Sequence, residues 1–143
     1  MDLVKNGVLD RFFAVLNEAL QKLRKLSTLS KQELLGNYEK IDASKYNFIV
    51  AIEAVIDICN RIISQHNLGL PQDYSDVVRV MGEKGVFEEG LVKTLMEMVK
   101  FRNLLVHLYW KIDNDRLYEY LRKNLGDFEE FITAVQKYLQ KKD

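Results

Sequence analysis

Apolar residues recur at three- and four-residue steps along most of this chain, and the strict alternation of a strand is missing. From Leu3 to Leu26, the positions Leu9, Phe12, Phe13, Leu16, Leu20 and Leu23 share one face of an amphipathic helix. Leu26-Ser27-Thr28-Leu29 interrupts the period. Ser30-Lys31-Gln32-Glu33 then has capping-box spacing, which predicts a short helix stopping near Gly36-Asn37. A second long helix is expected from Asp42 to Gln65. Its middle, residues 48–59, is apolar on nearly every side, the mark of a helix enclosed by neighbours. His66-Asn67-Leu68-Gly69-Leu70-Pro71 predicts the stop, with a cation-capable residue, then glycine, then proline.

Ser75 or Asp76 can cap a short helix through Val77, Val78 and Met81 that closes at Lys84-Gly85. A third long helix is expected from Glu88 to Tyr109 or Trp110. Asp113 or Asn114 can cap the last one. There Leu117, Leu121, Leu125, Phe128, Ile132, Val135 and Leu139 keep phase through Gly126, so one helix bent at that glycine is expected. These elements predict an all-α fold. It is a single up-and-down bundle of four long helices plus short ones, with residues 1–143 as one domain.

Composition narrows the possibilities. The 48% apolar content of 143 residues is enough for a packed core, and one proline and seven glycines agree with long helices. The 21 basic and 21 acidic residues leave no net charge, which excludes a generally cationic nucleic-acid coat. Any such contact must come from a local patch. The lone Cys59 excludes an internal disulfide and a cysteine-rich zinc site. Charges at Asp2, Lys5, Asp10 and Arg11 break any leader-like apolar run, and no stretch approaches the ~20 apolar residues of a bilayer span. A cytoplasmic location is expected, without membrane attachment.

The chemistry is concentrated on the third long helix. At about 100° per residue, its apolar stripe of Leu91, Leu95, Met98, Val99, Leu105 and Val106 is centred on Arg102, a permanently charged guanidinium. Asn103 and His107 lie one turn apart to one side, and Tyr109 returns to Arg102's face. Two readings follow. Either Arg102 is a core arginine whose charge is paired between helices, or the helix faces a cleft where Arg102, Asn103 and His107 meet a phosphate. Arginine supplies a fork of donors to phosphate oxygens, and histidine suits proton transfer near neutral pH.

Other candidates are simpler. Glu53 and Asp57 share a face of the apolar helix, and with no Glu-x-x-His partner they do not form a di-metal site. One or both are expected to pair with Arg102 or Arg61, as support for the guanidinium. His66 is read as a C-terminal dipole partner, and Cys59, Tyr118, Tyr120 and Tyr138 as packing residues. Lys93, Lys100 and Lys111 flank the motif helix, offset in part by Glu97.

Arg102-Asn103-Leu104-Leu105-Val106-His107-Leu108-Tyr109 resembles the Arg-x-x-x-x-His-x-Tyr signature of HEPN-domain proteins, specifically the HepT-type toxins. The similarity is wider than that motif. Residues 51–63, the Leu70-Pro71-Gln72-Asp73-Tyr74 loop, Arg102 through Asp113 and Asn124-Leu125-Gly126-Asp127-Phe128 also resemble the family, over residues 5–140. The resemblance implies the toxin of a type VII-like toxin–antitoxin module, a metal-independent endoribonuclease with no cofactor, whose cleft lies between the subunits of a homodimer. It implies Arg102 and His107 as the catalytic pair cutting RNA, with Asn103 beside the arginine orienting His107 from one turn below; Glu53 and Asp57 keep the supporting role read from the residues above. It further implies an MntA-type minimal nucleotidyltransferase antitoxin that transfers AMP to Tyr109. The alternative expectation is a non-catalytic helical substrate- or nucleotide-binding partner of such a nucleotidyltransferase.

Overall fold

The computed structural model describes residues 3–142. Residues 1, 2 and 143, including Asp2, lie outside the described residues, as do the side chains of residues 3–6 and 142. Among the described residues the fold is all-α, with seven helices, one 3-10 turn and no strand. The helices are α1 (Leu3–Ser27), α2 (Lys31–Leu35), α3 (Tyr38–His66), α4 (Tyr74–Glu83), α5 (Glu89–His107), α6 (Asn114–Lys123) and α7 (Gly126–Lys142). The turn, Tyr109–Lys111, follows α5.

Local polar groups set most of the boundaries. Ser30 and Glu33 form the expected capping box, each side chain accepting from the other's backbone N–H. The next helix begins four residues before the expected Asp42, because the Asn37 side chain accepts from the Glu39 and Lys40 N–H groups. It ends on Asn67 rather than a glycine. Asn67 takes a left-handed conformation at φ 54°, and the N–H groups of Asn67 and Leu68 both reach the Ile63 carbonyl. Asp73, not Ser75 or Asp76, caps α4 by accepting from the Asp76 N–H.

The third long helix is shorter than expected. Leu108 leaves helical geometry at φ −132° and ψ 44°, so α5 closes at His107. Half-buried Ile112 packs on the core and Asp113 caps α6, and a helix continued past His107 would carry both away from the bundle. The last expected helix is two. Asn124 ends α6, and its side-chain amide donates to Asp127 within the first turn of α7. The two-residue break shifts the phase: Phe128, Phe131 and Val135 are buried, whereas Ile132 and Leu139 are only half-buried.

α3 is the central element. It packs along α1 and also meets α2, α4, α5 and α6, which explains its apolar surround. Phe101 of α5 sets its ring edge-on to Phe48 of α3 and Tyr120 of α6, at 5.4 and 4.6 Å between centroids. Phe87 and Phe131 bring α7 against the start of α5. Gly82 lets α4 approach α5, since a Cβ there would stand 2.7 Å from a methyl of Val92. No helix among the described residues is long and apolar enough to cross a membrane.

The shifted phase of α7 is testable by chemical denaturation. Phe131→Ala is expected to cost about 3–5 kcal/mol, as for a large ring removed from a filled core, and Ile132→Ala clearly less. Equal losses would restore the single continuous helix.

Candidate active site

Three elements converge near the C-terminal end of α5. Arg102 Nε donates to Glu53 Oε1 at 2.5 Å, across the contact between α5 and α3. The other carboxylate oxygen accepts from the Tyr74 hydroxyl at 2.8 Å, which ties in the start of α4. The Tyr74 ring lies against the guanidinium, 4.7 Å from its carbon. Arg102 Nη1 donates to Asn103 Oδ1 at 3.1 Å and stands 3.5 Å from His107 Nε2.

The two readings of Arg102 meet in this geometry. Its side chain is 17% exposed and that of Glu53 28%, so the inner edge of the guanidinium is a paired charge between helices. The outer edge reaches Asn103 and His107, both exposed. An open cavity of about 380 Å³ lies here, lined by Asp73, Tyr74, Ser75, Arg102 and Asn103. An anion entering it meets a fixed cation with N–H groups to offer, and an imidazole within reach of the same anion.

Several expected roles change. Asn103 holds the guanidinium rather than orienting His107 from a turn below. Tyr109 does not return to the face of Arg102, because the helix has ended. It sits in the 3-10 turn, 67% exposed. Val106 is likewise exposed, so the buried stripe of α5 is Leu91, Leu95, Val99, Phe101 and Leu105. Of the two carboxylates, Glu53 makes the pairing with Arg102. Among the described residues Asp57 and Arg61 form no ion pair, and the buried Nε of Arg61 has no hydrogen-bond partner. Tyr74 was missed as a site residue. It falls in the loop segment that carries the family resemblance, but no spacing marks its contact with a glutamate 21 residues earlier.

The remaining residues are peripheral. His66 closes α3, its ring 5.5 Å from that of Tyr138. Cys59 is fully buried, and burial pushes its thiol well up. Lys100 pairs with Glu97 at 3.4 Å, while Lys93 and Lys111 are exposed. Burial first, and the hydrogen bond to Glu53 second, raise the Tyr74 hydroxyl above its ordinary range, which keeps it a donor. Among the described residues no three His, Cys, Asp or Glu converge as metal ligands.

Comparison with known proteins finds that residues 16–135 match the family described as Ribonuclease HepT-like. The mRNA nuclease HepT of Shewanella oneidensis is 34% identical over 84 residues, which span 59% of this chain and 63% of that relative. The tRNA nuclease HepT of Aphanizomenon flos-aquae is 20% identical over 132 residues, 92% of this chain and 90% of its own. Among solved structures, the tri-AMPylated HEPN toxin of Shewanella oneidensis, in complex with MNT antitoxin, matches with a TM-score of 0.85. That match has 25% identity and covers 91% of this chain and 97% of the other.

Asp57 offers a test of the electrostatics around Glu53. Partial desolvation first, and the Glu53 charge second, hold its carboxyl above the ordinary range. A carboxyl whose pKa rises on folding destabilises the native state once ionised. That penalty is complete above the raised value and absent below the unfolded one, about 3.9. Asp57→Asn is therefore expected to raise Tm at pH 7, and the gain should vanish as the pH falls through the carboxylate range. Melting curves across that range check it; a gain independent of pH would contradict the assignment.

Proposed function

The chain belongs to the HepT-like ribonuclease family, and on that premise we propose that it is the toxin of a type VII-like toxin–antitoxin module, an endoribonuclease that cuts RNA with Arg102 and His107. The observation that carries this reading is the 3.5 Å approach of Arg102 Nη1 to His107 Nε2 at the open end of α5. A phosphodiester there has a cation for its non-bridging oxygens and a base for the neighbouring 2′-hydroxyl.

His107 takes the proton of the 2′-hydroxyl as that oxygen attacks phosphorus, and the bond from phosphorus to the 5′-oxygen breaks. The proton goes on to the departing 5′-oxygen, leaving a 2′,3′-cyclic phosphate and a 5′-hydroxyl. Arg102 stabilises the charge that builds on the phosphoryl oxygens. Glu53, Tyr74 and Asn103 hold the guanidinium at three points. Asp57 makes no ion pair with Arg102, and its charge bears on Glu53. No step requires a metal.

The cavity between the start of α4 and α5 is open to solvent, which leaves room for a second copy of the chain to close it in a homodimer. The exposure of Tyr109 supports its modification by an MntA-type nucleotidyltransferase antitoxin. Its phenol oxygen would attack the α-phosphorus of ATP and release pyrophosphate. The attached phosphate then repels and obstructs RNA beside His107.

Purified protein is expected to cut RNA in excess chelator and to leave cyclic phosphate ends. Arg102→Ala should lower the rate roughly 10²–10³-fold and His107→Ala at least as much. Intact RNA with the wild type, or cutting by both variants at the wild-type rate, would refute the assignment and leave the non-catalytic nucleotide-binding alternative. Incubation with the antitoxin and ATP should add adenylyl mass and abolish cutting. Tyr109→Phe should gain no mass and stay active; a variant still adenylylated would move the site elsewhere.

A further inference from the structure

The turn that follows His107 has a composition unlike its surroundings. Tyr109–Lys111 buries no side chain, and Tyr109 and Trp110 are 67% and 65% exposed. Phe48, Phe87, Phe101, Phe128 and Phe131 are buried, and of the other exposed rings, Tyr38 and Tyr46 lie on α3, away from this turn in sequence. Trp110 is the sole tryptophan of the chain. Tyr109 meets it edge-on, with centroids 5.4 Å apart and planes at 85°, which props the two rings against each other outside the core. The next residue, Lys111, is exposed and cationic.

An RNA phosphodiester at Arg102 and His107 carries a nucleobase on either side. In a single strand those bases turn outward and take up aromatic partners, whereas in a duplex their faces are already stacked. Every base has a π-face, so an indole three residues beyond the histidine serves any sequence. With no net charge on the chain, affinity cannot rest on a broad cationic surface, and a stacking contact has more of the binding to supply. We propose that Trp110 is the stacking platform for a nucleobase next to the phosphodiester held by Arg102 and His107, so that the protein takes single-stranded RNA and rejects paired RNA. This inference rests on the reading of those two residues as the site of RNA cutting.

Trp110 is its own reporter. The full-length His107→Ala protein, titrated with a short unstructured oligoribonucleotide, is expected to lose tryptophan emission, and the same oligonucleotide annealed to its complement should leave emission unchanged. In the active protein, Trp110→Ala should raise KM roughly 5- to 100-fold with kcat little altered, and Trp110→Phe should recover most of the loss. Equal quenching by duplex, or an unchanged KM for Trp110→Ala, would overturn the proposal. So would emission that ignores RNA but shifts when the free protein is diluted, since Trp110 would then be a contact between subunits. Quenching by the single strand with no cutting by the wild type would sink the nuclease reading while leaving the stacking platform in place.

Discussion

The half-buried pair of Arg102 and Glu53 is the constraint on which the site depends. Exposed ion pairs contribute little, about 0–1 kcal/mol, and fully buried ones often fail to recover the desolvation of their charges. This pair lies between those limits, and its value is positional. Glu53 takes Nε with one oxygen and the Tyr74 hydroxyl with the other, so both oxygens are satisfied. Once Nε is committed, the planar guanidinium has its outer edge turned to Asn103 and His107. A lysine carries its charge on one rotating nitrogen and could not divide its two edges in this way.

That arrangement relies on how the bundle holds α5. Phe101 is wedged between Phe48 and Tyr120, which fixes the rotation of the helix one residue before Arg102. Arg102 therefore arrives at the boundary of the core rather than inside it, and Asn103 falls in solvent. The departure of Leu108 from helical geometry places His107 at the last position of the helix, open to whatever the arginine binds.

Periodicity made most of the helices legible, since a 3.6-residue repeat is a local property; the short α2 showed through its capping box, and α6 and α7 read as one helix. The boundaries were less legible, because three of them turn on asparagine. Asn37, Asn67 and Asn124 start, stop or split helices through contacts and conformations that hydrophobic spacing does not register. Arg102, Asn103 and His107 stood out as polar residues in apolar company, and Glu53 as a carboxylate in an enclosed helix. Their pairing spans 49 residues and exists only once α3 and α5 pack. Tyr74 gave no comparable signal. A tyrosine at the mouth of a short helix is ordinary until the fold sets it beneath a cation. Tyr109 was placed wrongly on the helix face because the end of α5 is decided by Ile112 and Asp113, further along the chain.

The Tyr109–Lys111 turn contributes no side chain to the interior. Bulk or charge added to it is therefore accommodated in the surrounding water, and the helices beneath need not rearrange. A group attached at this rim would leave the packed interior as it is.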